Sequence, residues 1–154
     1  MIKFLFCLVF LINFVTCAWA GYKVSAEAVL FSNSSKGVRY YGKNVHQKVL
    51  PASTVKVMTV LLALERLPLD KVVRVSSRAT RVQPSKINVK PGEQYHIRDL
   101  VFAILLNSAN DAAVVVAEAV AGSEKEFVKL MNKRARQLGA RHTKFVNAHG
   151  LPSK

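Results

Sequence analysis

The chain has 154 residues, half of them apolar, which is enough for one domain with a buried core and excludes a wholly disordered polypeptide. Lysine and arginine number 23 against 9 acidic residues, a formal charge of +14. That charge fits a solvated basic surface or attraction to anionic polymers and lipid headgroups; with no zinc-finger spacing or aromatic–basic motif, nucleic acid is not the expected partner.

In chain order, Lys3 and the apolar run Phe4–Val15 are followed by Ala18-Trp19-Ala20, the pattern of a cleaved export signal. The expected division is a signal peptide over 1–20 and a single domain over 21–154, exported to the periplasm or extracytoplasmic envelope. The apolar run is short for a membrane span; the alternatives are an uncleaved signal anchor and a lipoprotein signal on Cys17, where bulky Val15 and Thr16 stand in place of small residues. Both cysteines, Cys7 and Cys17, lie inside this leader, so neither a disulfide framework nor a thiol nucleophile is expected in the mature chain. Ser25–Phe31 and Val38–Tyr41 read as strands around the turn cluster Ser32–Gly37, a β-hairpin. Pro51 precedes a helix over Ser53–Arg66 that is apolar nearly all round, with Val55, Val57, Met58, Val60, Leu61, Leu62 and Leu64, and so suits a core. Short strands are expected at Val72–Val75 and Ile87–Val89. A helix over Arg98–Leu106 breaks at Asn107–Asn110 and continues from Asp111 to Ala121. Ser123 and Glu126 form a capping box for a last helix that buries Phe127, Leu130, Met131 and Leu138 and stops at Gly139. A strand around Lys144–Asn147 is the final expectation.

Chemistry is carried by Ser53-Thr54-Val55-Lys56, the one S-x-x-K in the chain. Three residues along a helix put Lys56 one turn from Ser53 on the same side. Desolvation and the positive helix N-terminus both disfavour an ammonium there, so the amine should lose its proton readily. A neutral amine can activate the serine hydroxyl as a nucleophile, as in Ser-Lys variants of the catalytic triad. A charged group in an apolar helix is costly unless it has a partner or a task. Ser108-Ala109-Asn110 is the second constellation, an S-x-N between two apolar helices. The serine hydroxyl suits a proton relay, and the asparagine amide suits a hold on Lys56 or on a substrate carbonyl. Taken alone, both residues read equally well as helix-end caps. His149 before Gly150 reads as a packing or capping residue. The other histidines, His46, His96 and His142, lack metal-ligand spacing, so no metal or other cofactor is expected.

Three segments in order resemble the low-molecular-mass serine D-alanyl-D-alanine carboxypeptidases, which are penicillin-binding proteins: P-A-S-T-V-K-V-M-T at 51–59, L-L-N-S-A-N-D-A-A at 105–113, and the stretch from Phe127 to Pro152. The resemblance implies an α+β fold of the β-lactamase/transpeptidase type, with helices packed on an antiparallel sheet. It implies Ser53 as nucleophile, Lys56 as general base, Ser108 as proton relay and Asn110 in substrate binding. The expected partners are a peptidoglycan stem peptide, which would lose its terminal D-Ala through an acyl-enzyme on Ser53, and β-lactams as covalent inhibitors. Half of the oxyanion hole would come from the Ser53 N–H. The family's third motif, K-T-G or K-S-G on a strand, does not occur before Lys154; the expectation is a truncated or partial chain, without the C-terminal strands and with little or no activity. Rival readings are a class A β-lactamase, whose second motif usually reads S-D-N, and a non-catalytic wall-binding remnant of the same fold.

Overall fold

The computed structural model describes residues 24–152, so the leader expected over 1–20 lies outside the described residues. The chain divides into two compact units after Val49. The first contains the hairpin: β1 (Val29–Asn33) pairs antiparallel with β2 (Val38–Lys43), with Phe31 opposite Tyr41 and a bulge between Phe31 and Ser32. The Asn33 side chain closes the turn by accepting the N–H groups of Ser35 and Lys36 at 3.0 and 3.1 Å. The first strand starts later than the sequence pattern suggested. Lys43 Nζ takes the Val24 and Ala26 carbonyls, and Asn44 Nδ2 takes that of Glu27.

The second unit, Leu50–Lys154, holds four helices and a two-stranded sheet. A 3-10 turn, Ala52–Thr54, leads into α1 (Val55–Arg66). β3 (Val72–Arg74) pairs antiparallel with β4 (Gln94–His96), and α2 (Ile97–Leu106), α3 (Asn110–Ala121) and α4 (Glu124–Gln137) follow. α3 is the centre of the unit. Its residues 110–117 are all buried, and it packs against α1, α2 and α4. Ala112, Ala113 and Ala117 are small enough to let neighbouring backbones approach, while Val114, Val115 and Val116 fill the space between. α4 meets this core with Phe127, Met131 and Ala135, which recur every fourth residue on one face. Each large apolar side chain so buried contributes about 1.5–3 kcal/mol. Ser123 caps α4 by accepting the Glu126 N–H, acidic residues occupy its first turn and arginines its last, in accord with the helix dipole.

Four expectations are corrected. Ile87–Val89 is not a strand; β3 finds its partner at Gln94–His96 instead, and the Ile87 and Val89 amides bond to the Asp111 carboxylate. Lys144–Asn147 is not a strand either. Asn132 on α4 takes both backbone groups of Phe145, its Nδ2 donating to the carbonyl and its Oδ1 accepting the N–H, so the segment is strapped to a helix by a side chain. α1 is two-faced rather than buried all round, since Val57 and Leu64 are exposed. Leu138 is exposed as well, because it lies past the last turn of α4, where the chain bends through Gly139 at φ +82°. Among the described residues no helix is long and apolar enough to cross a membrane.

Candidate active site

Ser53 sits in the 3-10 turn at the mouth of α1, exposed to solvent, while Lys56 lies one turn further on the buried face of the same helix. The residue before the serine, Ala52, has a left-handed backbone at φ +48°, which costs a non-glycine residue about 1–2 kcal/mol. Lys56 is only 2% exposed. Its Nζ lies 3.2 Å from Ser53 Oγ and donates to the His149 carbonyl at 2.8 Å. Burial strips water from the ammonium and holds the amine below the usual lysine range.

Ser108 comes to the same hydroxyl from across the fold. Its Oγ donates to Ser53 Oγ at 2.9 Å, and it occupies the break between α2 and α3 with φ +53°. The break is fixed on both sides. Before it, the N–H groups of Asn107 and Ala109 both bond to the Ala103 carbonyl; after it, the Asn110 N–H bonds to the Ser85 carbonyl. Two non-glycine residues in the left-handed region thus flank one serine hydroxyl, at a cost the surrounding bonds must hold. Asn110 is placed differently from Ser108. Its amide Nδ2 donates to the Gln83 carbonyl at 2.9 Å, so it clamps the 83–85 loop rather than Lys56. Its neighbour Asp111, fully buried, takes the Ile87, Val89 and Ala112 N–H groups. Together the pair ties the loop over 83–89 to the N-terminus of α3.

The third wall is the turn at 147–150, whose His149 reads from the sequence as a packing or capping residue. Asn147 Oδ1 accepts the N–H groups of His149 and Gly150 at 3.2 and 2.6 Å, and its Nδ2 donates to the Leu151 carbonyl. The His149 ring does act as a cap, Nδ1 accepting from the Leu151 N–H. What matters for the site is its backbone: the His149 carbonyl receives Lys56 Nζ, and the Ala148 carbonyl receives the Thr59 hydroxyl at 2.7 Å. Gly150, at φ +88°, lies against the serine turn. A β-carbon there would fall inside the Ala52 carbonyl and 3.2 Å from the Ser53 nitrogen. A backbone carbonyl carries no residue-type signature, so the sequence signal was limited to the glycine that lets the turn approach.

Ser53, Lys56 and Ser108 therefore meet within hydrogen-bond reach, and the arrangement can move a proton. With the amine neutral, the 3.2 Å contact runs from the Ser53 hydroxyl to the lysine lone pair, which leaves an oxygen nucleophile facing solvent. Ser108 puts a second hydroxyl on the same oxygen. Among the described residues no cluster of three or more His, Cys, Asp or Glu side chains could hold a metal ion.

A family model described as D-alanyl-D-alanine carboxypeptidase matches residues 16–154. The D-alanyl-D-alanine carboxypeptidase DacF of Bacillus subtilis is 39% identical over 131 residues, covering 82% of this chain and 34% of that protein. The crystal structure of the D-alanyl-D-alanine carboxypeptidase DacD from Francisella tularensis superimposes with a TM-score of 0.81 at 32% identity, over 88% of this chain and 34% of that one. Penicillin-binding protein D2 from Listeria monocytogenes, in its ampicillin-bound form, gives 0.76 at 30% identity, over 87% and 55%. The fold is thus the α+β architecture of penicillin-binding proteins and β-lactamase-like transpeptidases. The chain spans about a third of the length of the first curated relatives it matches.

Proposed function

Because the chain belongs to the D-alanyl-D-alanine carboxypeptidase family, we propose that it removes the terminal D-Ala of peptidoglycan stem peptides through an acyl-enzyme on Ser53. The observation that carries this reading is one serine oxygen held 3.2 Å from a buried, readily deprotonated lysine and 2.9 Å from a second hydroxyl. Ser53 Oγ attacks the carbonyl of the penultimate D-Ala as Lys56 takes its proton. The proton passes through Ser108 to the leaving amine, D-Ala departs, and water then hydrolyses the ester. A general base of this kind contributes about 10²–10⁴ in rate. Asn110 serves substrate binding indirectly in this reading, its buried amide fixing the loop at residue 83 beside the same helix break.

β-Lactams are acylating mimics in this scheme, as the ampicillin-bound relative suggests. The substrate polymer lies outside the cytoplasmic membrane, so the reading includes export by the leader at 1–20, to a periplasmic or extracytoplasmic site. The basic surface, at +14 overall, suits a protein that works beside anionic envelope polymers. A fluorescent penicillin reports the acylation step alone, so slow covalent labelling of the purified chain is expected even where turnover is weak, and Ser53→Ala should abolish it while leaving the fold intact. Labelling that survives this substitution would remove the nucleophile assignment. Slow release of the label, with D-Ala liberated from a D-Ala-D-Ala peptide, is expected for a carboxypeptidase; rapid turnover of the penicillin would mark a β-lactamase instead.

A further inference from the structure

The turn at 147–150 belongs to no sheet, so its carbonyls point only as well as its side-chain anchors hold them. One of those anchors comes from outside the motifs. Glu124 is the first residue of α4 and is almost wholly buried. Its Oε1 accepts the Ala148 N–H at 3.1 Å, and its Oε2 accepts from Arg78 at 2.9 Å. The same Oε1 lies 3.5 Å from His149 Nε2. Since His149 Nδ1 accepts the Leu151 N–H, the neutral ring carries its proton on Nε2, turned to that carboxylate. The Ala148 residue is thereby gripped from two sides, its N–H by Glu124 on α4 and its carbonyl by Thr59 on α1. The next carbonyl along, that of His149, is the one that receives the Lys56 amine.

We propose that Glu124, oriented by Arg78, is a positioning residue for the Lys56 amine, acting through the 147–150 turn. Resting on the acyl-enzyme reading above, it adds a residue that neither touches substrate nor belongs to either motif. Without the carboxylate the Ala148 N–H is left buried and unpaired, a penalty that drives the turn outward toward water. The amine then hydrates and loses its fixed acceptor, and a displacement on the order of 1 Å at a reacting group is enough to cost about 10²-fold in rate. The charged and titratable groups around this link are Arg78, Arg81 and His149, which line one cavity of about 210 Å³ with Glu124, and Lys56 beyond the His149 peptide.

The test reads Lys56 directly, by NMR titration of lysine labelled with ¹³C at Cε in the full chain. Two effects of losing Glu124 have opposite signs. Loss of the negative charge alone favours the neutral amine and lowers the titration point, whereas opening of the turn hydrates the ammonium and raises it. Glu124→Gln keeps an acceptor for the Ala148 N–H and is expected to leave Lys56 at or below its wild-type value. Glu124→Ala is expected to move it up toward an ordinary lysine, with penicillin acylation slowed about tenfold or more and Glu124→Gln within about threefold of wild type. Arg78→Met, at a mostly exposed side chain, is expected to shift Lys56 the same way by less and guards against an alanine variant that does not fold. Titration of Lys56 at or below the wild-type value in folded Glu124→Ala would overturn the proposal and an upward shift supports it; where the alanine variant does not fold, the same two outcomes in Arg78→Met decide it. Should the wild-type chain take no penicillin label, the acyl-enzyme reading fails, yet the titration still decides the role of Glu124.

Discussion

Lys56 combines near-complete burial with a lowered proton affinity, because its direct hydrogen-bond partners supply acceptors without supplying a charge. It shares the buried face of α1 with Val55, Thr59 and Val60, while its head meets a hydroxyl and a carbonyl, both neutral. A carboxylate in place of either would stabilise the ammonium and defeat the general base. The pH dependence follows from the lowered proton affinity, whose cause is burial. Acylation of Ser53 should rise with pH as Lys56 releases its proton and level off below the ordinary lysine value of 10.5. Stability carries a matching slope. Between the lowered folded value and 10.5 the unfolded chain binds a proton that the folded chain has released, so Lys56 makes stability rise with pH in that window. Lys56→Met should remove this slope, keep the fold and slow acylation by about 10²–10⁴. Denaturant titrations from neutral to alkaline pH, run beside penicillin-labelling rates, check both. An acylation rate in Lys56→Met equal to wild type would end the general-base assignment.

At the scale of elements, the site is a meeting of three pieces: the 3-10 entrance to α1, the break between α2 and α3, and the irregular turn at 147–150. The first two were legible as motifs because S-x-x-K and S-x-N each place polar side chains at a helix boundary. The third was not, since its contribution is the His149 carbonyl, on a turn that Asn147, Glu124 and Thr59 hold through the groups beside it, from three different places in the chain. The two strand expectations that failed, Ile87–Val89 and Lys144–Asn147, failed for one physical reason. β-Branched and aromatic residues satisfy a strand pattern, but the amides of Ile87, Val89 and Phe145 found partners on Asp111 and Asn132, side chains on helices elsewhere in the chain. Gly150 gives this scale its sharpest expectation. Gly150→Ala must push the turn off the Ala52–Ser53 backbone, so the substitution should cost at least about 1–3 kcal/mol in strain and overpacking. It should also abolish penicillin labelling well before the protein unfolds. Thermal unfolding and labelling of the same sample separate the two effects, and full labelling in Gly150→Ala would show that the close approach is dispensable.

On the scale of the whole molecule, charge and topology act separately. Twenty-three basic residues against nine acidic ones give a long-range field, whereas the hydrogen bonds that join Ser53, Lys56, Ser108 and the His149 carbonyl are short-range. Binding to an anionic polymer should therefore be governed by ionic strength, and acylation should not. Retention on an anionic matrix is expected to collapse between about 0.05 and 0.5 M salt, as the screening length contracts from roughly 14 Å to 4 Å, with the penicillin-labelling rate changed less than about twofold. Salt-resistant retention would point to a specific pocket rather than a diffuse field. The sequence by itself determined the family and the helices and singled out Ser53, Lys56 and Ser108 as candidates, because periodicity, capping residues and short motifs are local and each helix closes its own backbone bonds. Only the tertiary structure decided which strands pair, which faces of α1 and α4 stay exposed, that Asn110 clamps a loop, and that a carbonyl at residue 149 holds a lysine 93 positions earlier. Those outcomes depend on which distant groups compete for each polar atom, and that competition is resolved only when the chain closes on itself.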